Sequence, residues 1–261
     1  AVVADLAARD SLPLFKSPNC VVCGLSIVLA ALDAAFGLAS LSATTFQALS
    51  GRGDAKYAPP DLVLANVYPL ADTVEKTDAY QRAELRRLFP RLDKCAVAAH
   101  RVPVKNGHFV HVGCLLRRKP RDLHAVTSVL ADFNPLRDKG LPSAPPAPIV
   151  LVDDLARPRP AHDHRLHAGM AVAVGQLRLA QTDADLFDLS FSLVLDNLVR
   201  GAYGAALLNA EIFQLYVKPR LPARRGHLPA VPVDASVSPP APPPTPTSPA
   251  APSPSHVIKR P

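Results

Sequence analysis

Residues 20–36, CVVCGLSIVLAALDAAF, form one apolar run closed by Gly37. The run is long and lacks strand-like alternation, so it predicts a buried helix rather than a strand. Asn19, just before it, is a residue type that caps helices through its side-chain oxygen. The helix is therefore expected to open at Cys20, with that thiol on its first turn.

Downstream, a second helix is predicted over Ser42 to Leu49, capped by Ser40 or Ser42, before a loop punctuated by Gly51, Gly53 and Pro59-Pro60. Residues Thr77 to Leu88 read as a third helix with Asp78, Glu84, Arg86 and Arg87 on its wet side. Val97 to Val104 and Phe109 to Leu116 read as strands joined by Lys105-Asn106-Gly107, since Asn-Gly between apolar runs is a hairpin signal. A further strand is predicted over Val126 to Phe133. Helices first and strands afterwards suggest an α+β class.

Leu136 to Pro148 is a proline-rich connection, and beyond it Ile149–Val152, Met170–Leu179, Leu189–Leu195 and Ala206–Val217 all look like strands. These define a β-rich subdomain over residues 139–218. From residue 219 to Pro261 the chain is crowded with prolines, among them Pro239, Pro240, Pro242, Pro243 and Pro244. Such a stretch buries too little apolar surface to offset the entropy of ordering it, so a disordered linker or tail is expected there.

The net charge is +7, concentrated in Arg86-Arg87, Arg117-Arg118-Lys119-Pro120-Arg121 and Arg220 to Arg225. Clusters of this kind attract nucleic acid or anionic membrane. Without interleaved aromatic residues they read first as solvated loop charge. No apolar run reaches the roughly 20 residues that span a bilayer, and no basic flank precedes an apolar stretch at the N-terminus. The chain starts at Ala1 and ends in Lys259-Arg260-Pro261, as a piece of something longer would. Four cysteines in a chain of this length do not make a disulfide framework.

Three features carry chemistry in order: Asn19-Cys20 opening a helix, His108 heading a strand in GHFVHVG (107–113), and Asp132 ending a later strand. A helix N-terminus lowers a thiol pKa. A nearby imidazole can take the proton and return it, and a carboxylate can fix the imidazole tautomer. Backbone N–H groups at the helix start can hold an oxyanion.

On these residues the sequence resembles the papain-like cysteine proteases encoded in polyproteins of positive-strand RNA viruses. The run NCVVCGLSIVL (19–29) is similar to the opening of their catalytic helix, and GHFVHVG to the strand that carries their histidine. The resemblance implies a papain-like helix-then-sheet domain over residues 1–138 and a thiol endopeptidase. In it Cys20 attacks the peptide carbonyl, His108 acts as base and then acid, Asp132 orients the ring, and Asn19 borders the oxyanion. It further implies a polypeptide substrate (the parent polyprotein or a host protein, with deubiquitination by family analogy), residence in host cytoplasm, and neither cofactor nor metal. Cys23, which precedes Gly24, is an alternative nucleophile.

Other readings use the same residues. Cys20, Cys23, His111 and Cys114 form two pairs with zinc-like spacing, which would make a zinc-stabilised basic protein associated with RNA. His162, His164 and His167, beside Asp153, Asp154 and Asp163, make a second cluster with metal-ligand chemistry. A non-enzymatic viral structural protein with a β-rich assembly surface is the alternative outside enzymology.

Overall fold

Residues 20–36 do form a helix, α1 (Cys20–Phe36), and it is buried on nearly every side. A helix apolar all round needs partners all round. Here it lies on a sheet and is flanked by two further helices, α2 (Thr77–Leu88) and α3 (Leu123–Asp132). A computed structural model of the chain describes residues 15–52, 63–70, 76–182 and 184–220, all within one compact unit, Ala1–Pro222. The proline-rich stretch expected to be disordered lies, from residue 221 onward, outside the described residues.

The sheet has seven strands: β1 (Leu38–Gln47), β2 (Tyr68–Pro69), β3 (Lys94–Arg101), β4 (His108–Leu116), β5 (Ile149–Leu151), β6 (Val172–Leu179) and β7 (Leu189–Leu195). Their spatial order is β2-β3-β1-β4-β7-β6-β5. The pairs β1–β3 and β5–β6 are parallel, and the other neighbours antiparallel. A single mixed sheet therefore replaces the expected papain-like helix-then-sheet domain with a β-rich subdomain behind it. The expected hairpin is absent because β1 inserts between its two arms, pairing with β3 on one side and β4 on the other.

Three segments take another conformation than the sequence suggests. Residues 38–47 are a strand, not a helix: Leu41, Ala43, Thr45 and Gln47 are buried while Ser42, Thr44 and Phe46 are half-buried, a period of two. Residues 123–132 are a helix, not a strand. Asp122 caps it by accepting from the Ala125 N–H at 2.8 Å, and Val126 and Leu130, four apart, are its buried stripe. Residues 206–217 are also helical, in α5 (Gly204–Ile212), which follows a π-helical turn, Val199–Tyr203, and runs into another, Phe213–Val217. A short helix α4 (Pro160–Asp163) precedes β6.

The main core lies between the helices and one face of the sheet. Val21, Leu25, Val28, Leu29 and Leu32 of α1 meet Val110, Val112, Phe191 and Leu193. On the other face, the cross-strand row Ala98, Thr44 and His111 leaves two residues exposed and one half-buried. The functional groups gather where β1, β3 and β7 end and β4 begins, beside the N-terminus of α1.

Candidate active site

Asn19 organises the start of α1. Its Oδ1 accepts the Val21 N–H at 3.0 Å and the Gln81 Nε2 amide of α2 at 3.0 Å, while its own N–H donates to Glu84 Oε2 at 2.6 Å. The capping requirement thus ties α1 to α2. The carbonyl oxygen of Asn19, not its NH2 group, faces the Cys20 sulfur, 3.8 Å away. Asn19 is accordingly a cap and a thiol acceptor at the position where the sequence reading has it bordering the oxyanion.

Cys20 Sγ lies 3.3 Å from His108 Nε2. The ring enters from the first residue of β4 and is fully buried, and its Nδ1 accepts the main-chain N–H of Ala48 at 3.0 Å. Ala48 follows the last residue of β1. Its carbonyl receives Arg101 Nη1 at 2.9 Å from the end of β3, with the Arg101 residue only 4% exposed. Burial pushes the Cys20 thiol up to about 11, against the pull of the Val21 and Cys20 N–H groups and of the Arg101 charge. Burial, with the Arg101 charge in support, pushes the His108 imidazole down to about 3. At neutral pH both groups of the pair are uncharged.

Two glycines make room for this arrangement. A Cβ on Gly201, in the π-helical turn, would sit 2.7 Å from Cys20 Cβ and 3.1 Å from its carbonyl oxygen. A Cβ on Gly51 would sit 2.8 Å from Arg101 Nη1 and 3.1 Å from His108 Nε2. Asp196 holds the turn by accepting the N–H groups of Leu198 and Val199, each at 2.9 Å. Asn197 Oδ1 accepts the Gly107 N–H at 3.0 Å, fixing the residue before His108.

Asp132 is not part of the cluster. It is the exposed last residue of α3, and the ring atom it was to orient is bonded to Ala48 instead. Cys23 is buried one turn below Cys20 and donates to the Pro18 carbonyl at 3.3 Å. Burial lifts its thiol to about 12, so Cys20 is the thiol at the imidazole. The zinc arrangement does not form: His111 Nδ1 pairs with Ser192 Oγ at 3.2 Å on the open face, and Cys114 turns to the Leu189 carbonyl at 3.6 Å. Asp163 is held by Arg157 and the Arg159 N–H. Among the described residues no three His, Cys, Asp or Glu gather as a metal site.

Sequence reading does not single out Arg101, Ala48, Asn197 or Gly201, and takes Gly51 only as loop punctuation. The one available signal is Arg101, a charged residue ending an apolar strand seven positions before His108.

Comparison with known proteins replaces the protease resemblance. Residues 29–200 match the family model described as semialdehyde dehydrogenase, dimerisation domain. The chain is 32% identical to aspartate-semialdehyde dehydrogenase of Trichophyton rubrum over 213 residues, covering 76% of this chain and 57% of that protein. To the Methanothermobacter thermautotrophicus enzyme of that name it is 35% identical over 210 residues, covering 76% and 58%. It superposes on the crystal structure of aspartate semialdehyde dehydrogenase with NADP from Candida albicans with a TM-score of 0.65 at 25% identity, over 76% of this chain and 56% of that one. The chain thus spans a little under three fifths of the relatives it matches. A viral thiol protease acting on polypeptides, a viral assembly protein and a zinc-stabilised RNA-associated protein are all set aside by these matches and by the mixed sheet. The chain belongs to the semialdehyde dehydrogenase dimerisation-domain family.

Proposed function

We propose that this chain is the thiol-bearing part of an oxidoreductase that acts on a carboxylated aldehyde, as aspartate-semialdehyde dehydrogenase does. The observation that carries the proposal is the approach of Cys20 Sγ to His108 Nε2 at 3.3 Å, with the Arg101 guanidinium beside both. Cys20 supplies the nucleophile that adds to the aldehyde carbon, and the helix start and the ring favour the charge that develops. Arg101 offers a planar fork suited to the carboxylate of the same substrate. In an enclosed site that contact orients the aldehyde towards the sulfur.

Oxidation also needs a hydride acceptor, and the Candida albicans relative is described with NADP. The described residues of this chain form no site for that group. The sequence holds no G-x-G-x-x-G run, and the α1 N-terminus, the one at the site, is closed by its own asparagine cap. The acceptor then depends on residues other than those described here.

The family description also favours self-association, which the open face of the sheet would serve.

Protection of Cys20 from alkylation tests the assignment without any cofactor. Aspartate semialdehyde and succinic semialdehyde should slow iodoacetamide labelling of Cys20 in a saturable way, and butyraldehyde far less. Arg101→Leu should erase that preference. Equal protection by charged and neutral aldehydes, or none by either, would remove the proposal.

A further inference from the structure

We propose that the cavity between the middle of α1 and the chain that follows α3 binds a small organic carboxylate with an apolar tail, its charge taken by Arg200. The site lies outside the thiol centre and does not depend on the function proposed above.

Arg200 is the second residue of the π-helical turn Val199–Tyr203 and lines this cavity. Its Nε is buried with no hydrogen-bond partner among the described residues. No described aspartate or glutamate is paired with it either. The ionisable group that acts on it is the Cys23 thiol, which burial pushes up to about 12 and so keeps uncharged at neutral pH. A buried cation ordinarily has an anion or a full set of acceptors beside it, because its lost hydration is otherwise uncompensated. The cavity that Arg200 lines is where such an acceptor can sit.

The volume is about 250 Å³, roughly the room of eight waters. The walls are chiefly apolar: Ile27 and Ala30 from α1, Phe133 at the end of α3, then Pro135, Leu136 and Pro148. The other two polar side chains on the cavity are mostly committed elsewhere. Ser26 Oγ donates to the Cys23 carbonyl at 3.3 Å. Asn134 Oδ1 accepts the Leu136 N–H at 3.2 Å, and Asn134 Nδ2 donates one of its two hydrogens to the Pro146 carbonyl at 2.9 Å. What remains for an occupant is the Arg200 fork and a single amide N–H.

That donor set selects the ligand. A carboxylate matches the guanidinium fork with its two oxygens and carries the single charge that Arg200 lacks opposite it. A phosphate has more oxygens than the donors can satisfy and would leave some of them against hydrocarbon. The rest of the occupant meets apolar walls, so a ring or a branched chain belongs there. Ile27 lies about two turns beyond Cys20 on α1, or roughly 10 Å along the helix, so this cavity is distinct from the centre where Arg101 is the cation.

Titration calorimetry on the purified chain tests the assignment with benzoate, benzamide and inorganic phosphate as probes. Benzoate should bind saturably with a Kd below about 10 mM, and benzamide and phosphate about tenfold more weakly or worse. Arg200→Leu should abolish benzoate binding. Ala30→Phe, which fills the cavity from α1 and keeps the guanidinium, should abolish it too, and decides alone if Arg200→Leu does not fold. Arg101→Leu should leave it in place. Benzoate binding that survives Arg200→Leu or Ala30→Phe, or that is lost in Arg101→Leu instead, would put the carboxylate elsewhere and overturn the inference. Equal binding of benzamide or phosphate would overturn the ligand class. No binding of benzoate to the wild-type chain would show that Arg200 needs no anion, and would overturn the site itself.

Discussion

The thiol at the head of α1 is enclosed, and enclosure opposes the form that reacts. The Val21 and Cys20 N–H groups and the Arg101 charge lean towards the thiolate, yet burial outweighs them and holds the group at about 11. Alkylation of Cys20 should therefore climb about tenfold per pH unit from 7 into the alkaline range, with no plateau near neutrality. Replacing Arg101 by Leu removes a charge that lowers this value, so labelling at pH 8 should slow further. An inflection near pH 7 would contradict the electrostatic account. At this scale the pair Cys20 and His108 is legible in the sequence, because a cysteine behind a capping asparagine and a histidine heading a strand are local patterns. The partners that set their behaviour are not. Ala48 acts through its backbone, Gly51 and Gly201 through the absence of a side chain, and Arg101 through the end of a strand whose neighbours the sequence does not name. For the same reason the chemistry was misread: a thiol next to an imidazole suits acyl transfer and aldehyde addition alike, and residue type does not choose between them.

The element that decides the site is the π-helical turn Val199–Tyr203, which brings Gly201 against Cys20. A methyl group there meets Cβ at 2.7 Å and main-chain atoms at 3.1 Å, and neither belongs to a flexible side-chain tip. Gly201→Ala should push the first turn of α1 away from β4 and cost about 1–3 kcal/mol, in the range of other overpacked positions. Denaturant titration would give that loss, and Cys20 labelling should change with it. Unchanged stability together with unchanged labelling would show that the turn is loosely seated. Helix α1 is readable in the sequence through its length, apolar run and asparagine cap, and α2 through the charged residues on its wet side. The strand β1 is not, since serines and threonines at its start mimic a capped helix. The helix α3 is not either, because a ten-residue apolar stretch fits both periods until Asp122 is seen to bond Ala125.

For the molecule as a whole, the family match and the open sheet face bear on assembly. Thr44, Ala98 and His111 stand in one cross-strand row on the face away from the helices. If a second copy covers this face, Thr44→Asp should shift the chain from dimer towards monomer in sedimentation velocity. A desolvated carboxylate without a partner disfavours the interface. Wild-type protein that sediments as a monomer at micromolar concentration would rule that surface out. Topology is the least legible level. Nothing local says that β1 inserts between β3 and β4, or that β5, β6 and β7 extend the same sheet, since such pairings depend on contacts remote in the chain.

The site draws on Asn19, Ala48, Gln81, Arg101, His108 and Gly201, so it spans nearly the whole described length. On a ribosome the sulfur emerges well before the turn that closes over it, some 180 residues later in the chain. At elongation rates of about 5–20 residues per second, the nascent chain leaves its nucleophile open to oxidants and electrophiles for on the order of ten seconds or more. The sulfur that burial later restrains is thus most vulnerable before that turn has been made.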